Sequence, residues 1–462
     1  MAGKQELNLN EYKVIRKLGL DESLYDFEVY KESMLVTTAI NVDLTKGEIN
    51  LKLLNNACAH WIKRFILLQS KIIRKDIAKI NEEKYFVHLN EDELFKFKNV
   101  ELIETNDEKK YKDVVESELV QLFDLNDGPL WRLKVIKYLS QPNRYTFVFT
   151  IHHSIGDGKN LVIAIGLLNI IGSLIDNTDC EELNAEVVYS PINVEALAKE
   201  FLSDETNKAN SENMSFDEIN RVPFNLGLSN GKHGRVDFLK IDGQRLKKLL
   251  TTLKQKTNGA KLTGVLELAF CQALKETTNN FGNNEFNNLP YQYYTLVSLR
   301  DKLKLKATQM GVYSLAFESV VNDINEQEKD NNYDYIWKLG EKQSKLIHER
   351  IGNNEDVLQM SQGYTFIEDL ENGLEFNEYP HTHALSNIGV FSNTTSDVIK
   401  ARELYFFMPT LEKRFPGVLF IGICTIDQNL CWAFSFNEKF YTRDFISHLK
   451  NRLDFILNKL VE

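Results

Sequence analysis

The sequence predicts an α/β protein, of the mixed α+β type, with two related lobes. The chain has 462 residues, which is more than one hydrophobic core usually supports. Both halves alternate amphipathic stretches with short apolar runs typical of strands. A polar stretch that contains SDETNKANSENMS separates the two halves. We therefore predict an N-terminal lobe over residues 1–180, a polar linker over 181–220 and a C-terminal lobe over 221–462.

In the first half, residues 47–65 are predicted to form a helix because their apolar side chains recur at helical spacing. The face consists of Leu54, Ala57, Cys58, Trp61, Ile62 and Phe65. Residues 66–73 are predicted to form a strand. Residues 124–135 and 144–151 predict a hairpin that turns at Gln141-Pro142-Asn143. Residues 159–175 are apolar at helical spacing and predict a helix.

The second half has the same mixed character. The pattern predicts strands over 236–241 and 291–299, helices over 244–256, 263–277 and 443–460, and a hairpin over 417–436. Residues 333–351 also have helical spacing, although Gly340 inside that pattern weakens the prediction of an unbroken helix. The Asn-rich residues 279–288 predict a loop.

Composition and local sequence indicate the compartment of the protein and argue against nucleic acid as its main partner. The formal net charge is -11, and a nucleic-acid-binding surface usually shows as a basic excess. The five cysteines form no CxxC pair, which predicts free thiols in a reducing compartment. The N-terminal residues lack an apolar signal region, so we expect a cytoplasmic protein. The longest apolar run, residues 161–175, is shorter than the ~20 residues that span a bilayer, although the composition is compatible with peripheral membrane contact.

The most informative segment is Ile151-His152-His153-Ser154-Ile155-Gly156-Asp157-Gly158, where a strand gives way to a helix. A histidine at such a junction can face a cleft while its backbone is held on both sides, which suits a general base. On a strand, His152 and His153 point to opposite faces, so one faces the core and the other a cleft. Ser154 points away from His153 for the same reason, so a Ser-His nucleophile pair is not expected. The structural alternative is a histidine that is hydrogen-bonded at a strand end.

Asp157 has two possible roles. It could cap the following helix by accepting a hydrogen bond from Lys159 or Asn160, or it could pair with a buried arginine. Gly156 and Gly158 are predicted to adopt backbone angles that a β-carbon forbids.

A metal site is not expected. Because His152 and His153 point apart, these residues and Asp157 do not converge on one ion. His381 and His383 could supply two more ligands from one face, but that spacing has little specificity. The chain has no P-loop, which disfavours nucleoside triphosphatases.

The segment HHSIGDG resembles the HHxxxDG signature of the CoA-dependent acyltransferase superfamily. That group includes chloramphenicol acetyltransferase, nonribosomal peptide condensation domains, wax-ester synthases and fungal alcohol acetyltransferases. Further similar segments follow in the same order: 57–72, 123–135, 262–274, 297–300 (VSLR) and 386–389 (SNIG). The usual His-Pro of the early segment and the DFGWG motif of the plant branch are both absent. The chain therefore looks closest to the alcohol acetyltransferases and condensation-like branches.

This resemblance implies two chloramphenicol-acetyltransferase-like lobes, each a mixed sheet with flanking helices, and an active-site tunnel between them. His153 would be the general base, and Gly158 would belong to the turn. Asp157 would be structural, with Arg300 as its partner in a bidentate ion pair. The alternative for Arg300 is a solvated strand end beside Asp301.

The resemblance also suggests substrate-binding residues. Asn387 or Ser386 would donate to the oxyanion of a tetrahedral intermediate, or Asn387 would stabilise a strand-end turn. Lys302, Lys304 and Lys306 alternate in sequence, so on a strand they would share one face and could bind the phosphates of CoA. The alternative for these lysines is a solvated sheet edge.

The implied activity is direct transfer of an acyl group, with acetyl favoured, from acyl-CoA to a small-molecule alcohol or amine. Acetyl-CoA would be a co-substrate, and no permanently bound cofactor is expected. Since residues 1–462 contain no carrier or adenylation module, a carrier-bound donor ranks lower, as does a long-chain donor of the wax-ester type. The alternative from another class is a non-catalytic protein that binds a small molecule on the same scaffold. One chain supplies both lobes, so we expect a monomer.

Overall fold

The structure is a computed structural model that describes residues 8–31, 34–76, 78–125, 127–184, 191–209, 234–282, 291–321, 324, 332–362, 371, 381–410 and 418–462. The helices are α1 (Leu20–Lys31), α2 (Leu51–Lys63), α3 (Glu91–Leu94), α4 (Lys110–Val120), α5 (Val162–Asp176), α6 (Glu181–Asn184), α7 (Val194–Ser203), α8 (Gly243–Lys256), α9 (Leu262–Asn280), α10 (Tyr335–Gly352), α11 (Glu355–Gln362) and α12 (Arg443–Lys459). The strands are β1 (Val14–Lys17), β2 (Leu35–Leu44), β3 (Ser70–Arg74), β4 (Lys84–His88), β5 (Val100–Thr105), β6 (Trp131–Tyr138), β7 (Arg144–His152), β8 (Arg235–Ile241), β9 (Tyr291–Ser298), β10 (Ser314–Val321), β11 (His381–Val390), β12 (Ile399–Phe407), β13 (Leu419–Ile426) and β14 (Asn429–Phe436).

The N-terminal lobe contains a mixed sheet with strand order β12-β2-β7-β6-β5, in which only the β5–β6 pair is parallel. Helices α2 and α5 pack beside this sheet around Trp61. The Trp61 indole N–H donates to the Ile163 carbonyl at 2.8 Å, and its ring contacts Trp131 and Phe149 at centroid distances of 5.6 and 5.1 Å. These contacts fix α5 against the strand that carries the histidines.

The C-terminal lobe contains a second mixed sheet, with strand order β10-β9-β11-β13-β14-β8. Strand β11 runs parallel to both of its neighbours, β9 and β13. Helix α9 packs between α10 and α12. The prediction of two α/β lobes with mixed sheets is therefore confirmed.

Helix α10 continues unbroken through Gly340, the residue that weakened the prediction of a continuous helix. The reason is close helix packing, because a β-carbon on Gly340 would lie 2.8 Å from the Val265 Cα atom of α9. Likewise, a β-carbon on Gly264 would lie 2.4 Å from the Gly340 carbonyl oxygen. Both glycines therefore allow the two helices to approach each other.

Strand β12 crosses between the lobes. It comes from the C-terminal half but pairs antiparallel with β2 in the N-terminal sheet, with Leu404 opposite Ile40. The prediction placed all of residues 221–462 in the C-terminal lobe and did not foresee that β12 joins the N-terminal sheet. A further small sheet, β1-β4-β3, also lay outside the prediction.

The predicted linker contains helix α7, which packs through Ala198 into an apolar cluster with Leu303, Tyr313 and Met360. This packing attaches α7 to the C-terminal lobe. Residues 185–190 and 210–220 of the predicted linker lie outside the described residues.

The predicted elements differ from the structure mainly at their ends. The predicted strand over 66–73 is wrong in its first half, because Ile66–Gln69 form a 3₁₀ turn and the strand starts at Ser70. The hairpin of β6 and β7 is present, but β6 begins only at Trp131. The hairpin of β13 and β14 turns at Asp427 and Gln428, whose φ angles of 48° and 63° suit a tight primed turn. Within the described residues, no cysteine forms a disulfide.

Residues 158–176 are, by length and composition alone, long and apolar enough to cross a membrane. However, 67% of this stretch is buried inside the protein, and Trp61 of α2 binds the carbonyl of Ile163 within it. The stretch therefore has the surroundings of a core helix.

A buried carboxyl group lies in the core of the C-terminal lobe. Glu267 of α9 accepts hydrogen bonds from the hydroxyls of Thr295 and Tyr293 at 2.7 and 3.2 Å. Burial raises the pKa of Glu267 to about 7, although these hydrogen bonds lower it. The carboxyl group is therefore neutral in the folded state at pH values where it is ionised in the unfolded chain.

This group should make stability fall as the pH rises. The pKa of Glu267 is higher in the folded state than its ordinary 4.5, so its contribution is fully present below pH ~4.5 and is lost as the pH rises through about 7. We expect the free energy of unfolding to fall by about 3 kcal/mol more in the wild type than in Glu267→Gln between these limits. Denaturant unfolding of both proteins at pH 5 and pH 8 checks this, and parallel pH profiles would contradict it.

Candidate active site

The HHSIGDG segment begins at the end of β7, an interior strand of the N-terminal sheet. The strand ends at His152, and His153–Ile155 form a 3₁₀ turn. The His152 amide donates to the Leu130 carbonyl at 2.9 Å, and the His153 amide donates to the Met34 carbonyl at 3.3 Å. A second 3₁₀ turn, Gly158–Leu161, leads directly into α5. The backbone of the segment is thus held from both sides.

The His152 ring belongs to the core. Its Nδ1 atom accepts a hydrogen bond from the Ser154 amide at 3.2 Å, and its ring packs against Phe123 at a centroid distance of 5.8 Å. Burial lowers the pKa of His152 to about 3, so the ring is neutral. Its Nε2 atom lies 3.9 Å from an oxygen of Asp26.

Asp26 is the centre of a buried ionic network behind the histidines. Its carboxylate binds Arg74 at 2.6 and 3.0 Å and Lys84 at 2.9 Å. Burial alone would raise the pKa of Asp26, but the charges of Arg74 and Lys84 hold it below its ordinary value. The network anchors α1, which carries Asp26, against the small β1-β4-β3 sheet.

Helix α1 also places Tyr25 on the His153 ring. The two rings stack with centroids 3.9 Å apart and an interplanar angle of 3°. Burial, together with the charges of Asp21 and Asp157, raises the pKa of Tyr25, so the phenol stays neutral. Sequence reasoning missed this residue. Leu20, Leu24 and Phe27 recur at helical spacing and pack into an apolar cluster with Ile80, a signal that could have indicated α1. Nothing in the segment itself connects Tyr25 to His153.

His153 is only 4% exposed and lies in the wall of a cavity between the lobes. Its Nδ1 atom is buried and has no hydrogen-bond partner among the described residues. Burial lowers the pKa of His153, against the opposing effects of the His153 and Gly156 carbonyls and of the Asp157 carboxylate. The ring is therefore a neutral base at physiological pH.

Asp157 both caps a turn and forms a buried ion pair. One carboxylate oxygen accepts from the Lys159 amide at 3.0 Å. The other lies 2.8 Å from Arg300 Nη1 and accepts from the Tyr313 amide at 2.9 Å. The predicted bidentate geometry is wrong, because the second guanidinium nitrogen donates instead to Asn160 Oδ1 at 3.2 Å. Arg300 thus connects the motif turn to the C-terminal lobe.

The two motif glycines are required for space rather than for unusual backbone angles. Gly156 has an extended φ of -179°, and neither glycine is among the described residues with positive φ, so the predicted angles are wrong. A β-carbon on Gly156 would lie 2.8 Å from Asn160 Oδ1, and one on Gly158 would lie 2.9 Å from the Ile388 side chain. Gly158 therefore lets the turn approach β11 of the other lobe.

The cavity beside His153 is narrow. Its volume is about 40 Å³, whereas pockets that take a drug-sized ligand have ~300–1,000 Å³. Among the described residues, the walls come from β2, the motif turn, β9, the start of β10, β11 and the end of β12: Val36, His153, Asp157, Gly158, Lys159, Leu296, Val297, Ser298, Ser314, Ser386, Asn387, Ile388, Phe406 and Met408. The predicted tunnel thus corresponds to a constricted cavity between the lobes.

Ser386 and Asn387 both line this cavity, as expected for oxyanion donors. The Asn387 amide nitrogen donates to the Thr263 hydroxyl at 3.0 Å, and its oxygen accepts from the Gly389 amide at 3.0 Å. Asn387 therefore stabilises an irregularity in β11, where the register with β13 shifts before Val390. The bond to Thr263 occupies one of its two amide N–H groups, and oxyanion binding by the other stays a prediction.

The predicted lysine strand is wrong. The residues that follow Arg300 form turns, so Lys302, Lys304 and Lys306 do not share a strand face. Lys302 binds the carboxylate of Asp356 at 2.5 Å, so its charge is already compensated. Lys304 is exposed in a turn with a φ of 54°, and its binding to CoA phosphates stays a prediction.

His381 and His383 have other partners. His381 Nε2 lies 2.8 Å from Glu318, and the buried His383 ring stacks on Tyr293 at a centroid distance of 4.6 Å. Burial lowers the pKa of His383 to about 3. Within the part of the chain that the structure describes, no group of three His, Cys, Asp or Glu residues could hold a metal ion.

A model of the condensation domain family matches residues 33–174, which include the whole HHSIGDG segment. The resemblance to the CoA-dependent acyltransferase and condensation superfamily is confirmed. The matched model is that of condensation domains, which supports an enzyme. No curated protein sequence matched the chain.

Solved structures with the superfamily fold extend over nearly the whole chain. A trichothecene 15-O-acetyltransferase from Fusarium sporotrichioides has a TM-score of 0.68 at 10% identity, over 100% of this chain and 99% of that one. The epimerization domain from the third module of tyrocidine synthetase B has a TM-score of 0.64 at 13% identity, over 97% of this chain and 98% of that one. The first condensation domain of the CDA synthetase has a TM-score of 0.62 at 11% identity, over 96% of each chain. At these identities the likeness shows the fold.

Proposed function

We propose that this protein transfers an acyl group, with acetyl favoured, from acyl-CoA to a small-molecule alcohol or amine. The observation that carries the proposal is the position of His153 in the wall of the cavity between the lobes. Its ring is held by Tyr25, and the adjoining turn is held by the Asp157–Arg300 pair. Such a fixed, neutral imidazole suits proton transfer.

The reaction needs one base and no covalent enzyme intermediate. Since Nδ1 of His153 is enclosed, Nε2 is the nitrogen that removes the proton from the acceptor hydroxyl or amine. The acceptor oxygen or nitrogen then bonds to the thioester carbonyl carbon, whose oxygen becomes an oxyanion. When the carbon–sulfur bond breaks, the imidazolium returns the proton to the departing thiolate, which yields the ester or amide and free CoA.

The oxyanion is proposed to be stabilised from β11. Asn387 has one amide N–H that the Thr263 hydroxyl does not occupy, and the Ser386 side chain lines the same cavity. A donor that is already oriented costs no reorganisation when charge develops on the oxygen. The bonds of Asn387 to Thr263 and Gly389 supply that orientation.

The size of the cavity supports a short acyl group. A volume of about 40 Å³ suits an acetyl group far better than a long apolar chain. The second candidate is transfer from an acyl group on a carrier protein, which the match to the condensation domain family favours.

A donor comparison tests the proposal. We expect acetyl-CoA to release thiol in the presence of a suitable alcohol or amine, with kcat/KM well above those of palmitoyl-CoA and an acetylated carrier protein. A thiol reagent follows the release, and mass spectrometry identifies the acylated product across an acceptor panel. If only the acetylated carrier protein supports turnover, the donor is a carrier-bound acyl group, as in condensation domains, and not acyl-CoA. Absence of turnover with every donor would favour a non-catalytic binding protein.

A further inference from the structure

Lys159 introduces a positive charge into the wall of the cavity that contains His153. Its side chain is half-buried. The ammonium group donates to the Ile388 carbonyl of β11. It lies over the irregular part of that strand, since a β-carbon on Gly389 would be 3.4 Å from its nitrogen.

The Lys159 ammonium does not pair with a carboxylate of the described residues. No carboxylate of the described residues lies within salt-bridge distance of Lys159, and the bond to Ile388 uses one of its three N–H groups. Burial lowers the pKa of Lys159, the charges of Asp301 and Asp157 raise it and that of Arg300 lowers it. A half-buried ammonium without a contact partner is a favourable position for an anion.

The other charged group in the wall is already compensated. The Asp157 carboxylate binds Arg300 and the amides of Lys159 and Tyr313. The remaining polar side chains in the described wall, apart from His153, are neutral serines and Asn387. The net electrostatic preference of the cavity is therefore set by Lys159.

We propose that Lys159 recognises a carboxylate on one of the two substrates, a few ångströms from the reacting carbonyl. The inference rests on the proposed function for the presence of substrates in this cavity. The carboxylate belongs either to the transferred acyl group or to the acceptor. In both cases its oxygens accept hydrogen bonds from the ammonium N–H groups that Ile388 does not occupy.

Binding measured without turnover tests this proposal. Two matched pairs separate the two sources of the carboxylate: malonyl-CoA against acetyl-CoA for the donor, and 4-(hydroxymethyl)benzoate against benzyl alcohol for the acceptor. Each ligand is titrated against the melting temperature of the protein to obtain its Kd. We expect the carboxylate member of one pair to bind more tightly to the wild type, by about 10- to 100-fold.

Two substitutions separate charge from structure. Lys159→Gln retains an N–H donor for the Ile388 carbonyl but has no charge, so it should lose the carboxylate preference. Lys159→Arg should keep most of the preference. The matched control is Lys256→Met, which removes an exposed lysine paired with Asp334 on the surface and should leave the preference unchanged.

The outcomes distinguish this proposal from the proposed function. If neither carboxylate binds more tightly, or if Lys159→Gln keeps the preference, Lys159 only holds β11 and the proposal is overturned. If the preference follows the charge of residue 159 but no acyl donor supports turnover, carboxylate recognition stands and acyl transfer fails.

Discussion

Replacing His153 with alanine is expected to lower acyl transfer by ~10²–10⁴-fold, the usual contribution of a positioned general base. The ring lines the cavity and stacks on Tyr25, and Nδ1 makes no hydrogen bond within the described residues. Loss of the ring removes the base but leaves no hydrogen-bonding group of the described residues without its partner. We therefore expect the fold to persist, and steady-state kinetics together with circular dichroism check both parts.

The pH profile supplies a second readout for the same residue. Because burial lowers the pKa of His153, the ring stays neutral as the pH falls through the ordinary histidine value of ~6.5. The acid limb of kcat/KM should therefore lie below pH 6.5. His448→Ala, which removes an exposed histidine of α12, is the matched control. Full activity in His153→Ala would refute the proposed mechanism.

The second large effect is expected at the Asp157–Arg300 pair. Asp157→Ala leaves the buried Arg300 guanidinium without its carboxylate, and both side chains are at most 4% exposed. Removal of one partner from a buried pair typically costs about 3–5 kcal/mol. We expect Asp157→Ala to lower the free energy of unfolding by that amount and to lower activity too, since the turn that bears His153 loses its anchor. Chemical denaturation measures the first effect.

A surface pair provides the comparison. Asp334→Ala breaks the exposed pair with Lys256, whose side chains are 48% and 61% exposed, and should cost less than ~1 kcal/mol. The double variant Asp157→Ala/Arg300→Met should be less destabilised than the sum of its single variants, because neither charge is then left alone. An unchanged unfolding midpoint in Asp157→Ala would rule out the structural role.

Local sequence patterns predicted much of the scaffold. The strand over 144–151 and the helix over 159–175 have strong patterns of their own, so the junction that carries His153 was found without tertiary information. The two mixed α/β lobes followed from the length of the chain and the repeated element types. The strand predicted at residues 66–69 is wrong, since these residues form a 3₁₀ turn that buries Leu67 and Leu68. The glycine at position 340 is explained by close packing against Val265 of α9, which local periodicity does not show.

Contacts between distant segments were harder to predict. Tyr25 lies on a helix whose apolar residues Leu20, Leu24 and Phe27 pack in a separate cluster with Ile80, and nothing in its own segment connects it to His153. The crossing of β12 into the N-terminal sheet depends on pairing with β2, more than 350 residues earlier in the chain. The lysines after Arg300 have the spacing of a strand face, but turns place them apart and Asp356 neutralises Lys302.

Sequence alone was sufficient for the motif, its junction and the kind of chemistry that its residues support, since these depend on neighbours along the chain. The three-dimensional arrangement decided how the parts of the site act together. Arg300 binds both Asp157 and Asn160, and Tyr25 stacks on the ring of His153. Among the described residues, no carboxylate contacts the Lys159 ammonium. These features arise where segments far apart in sequence are buried against one another, and there packing and charge pairing outweigh local preference.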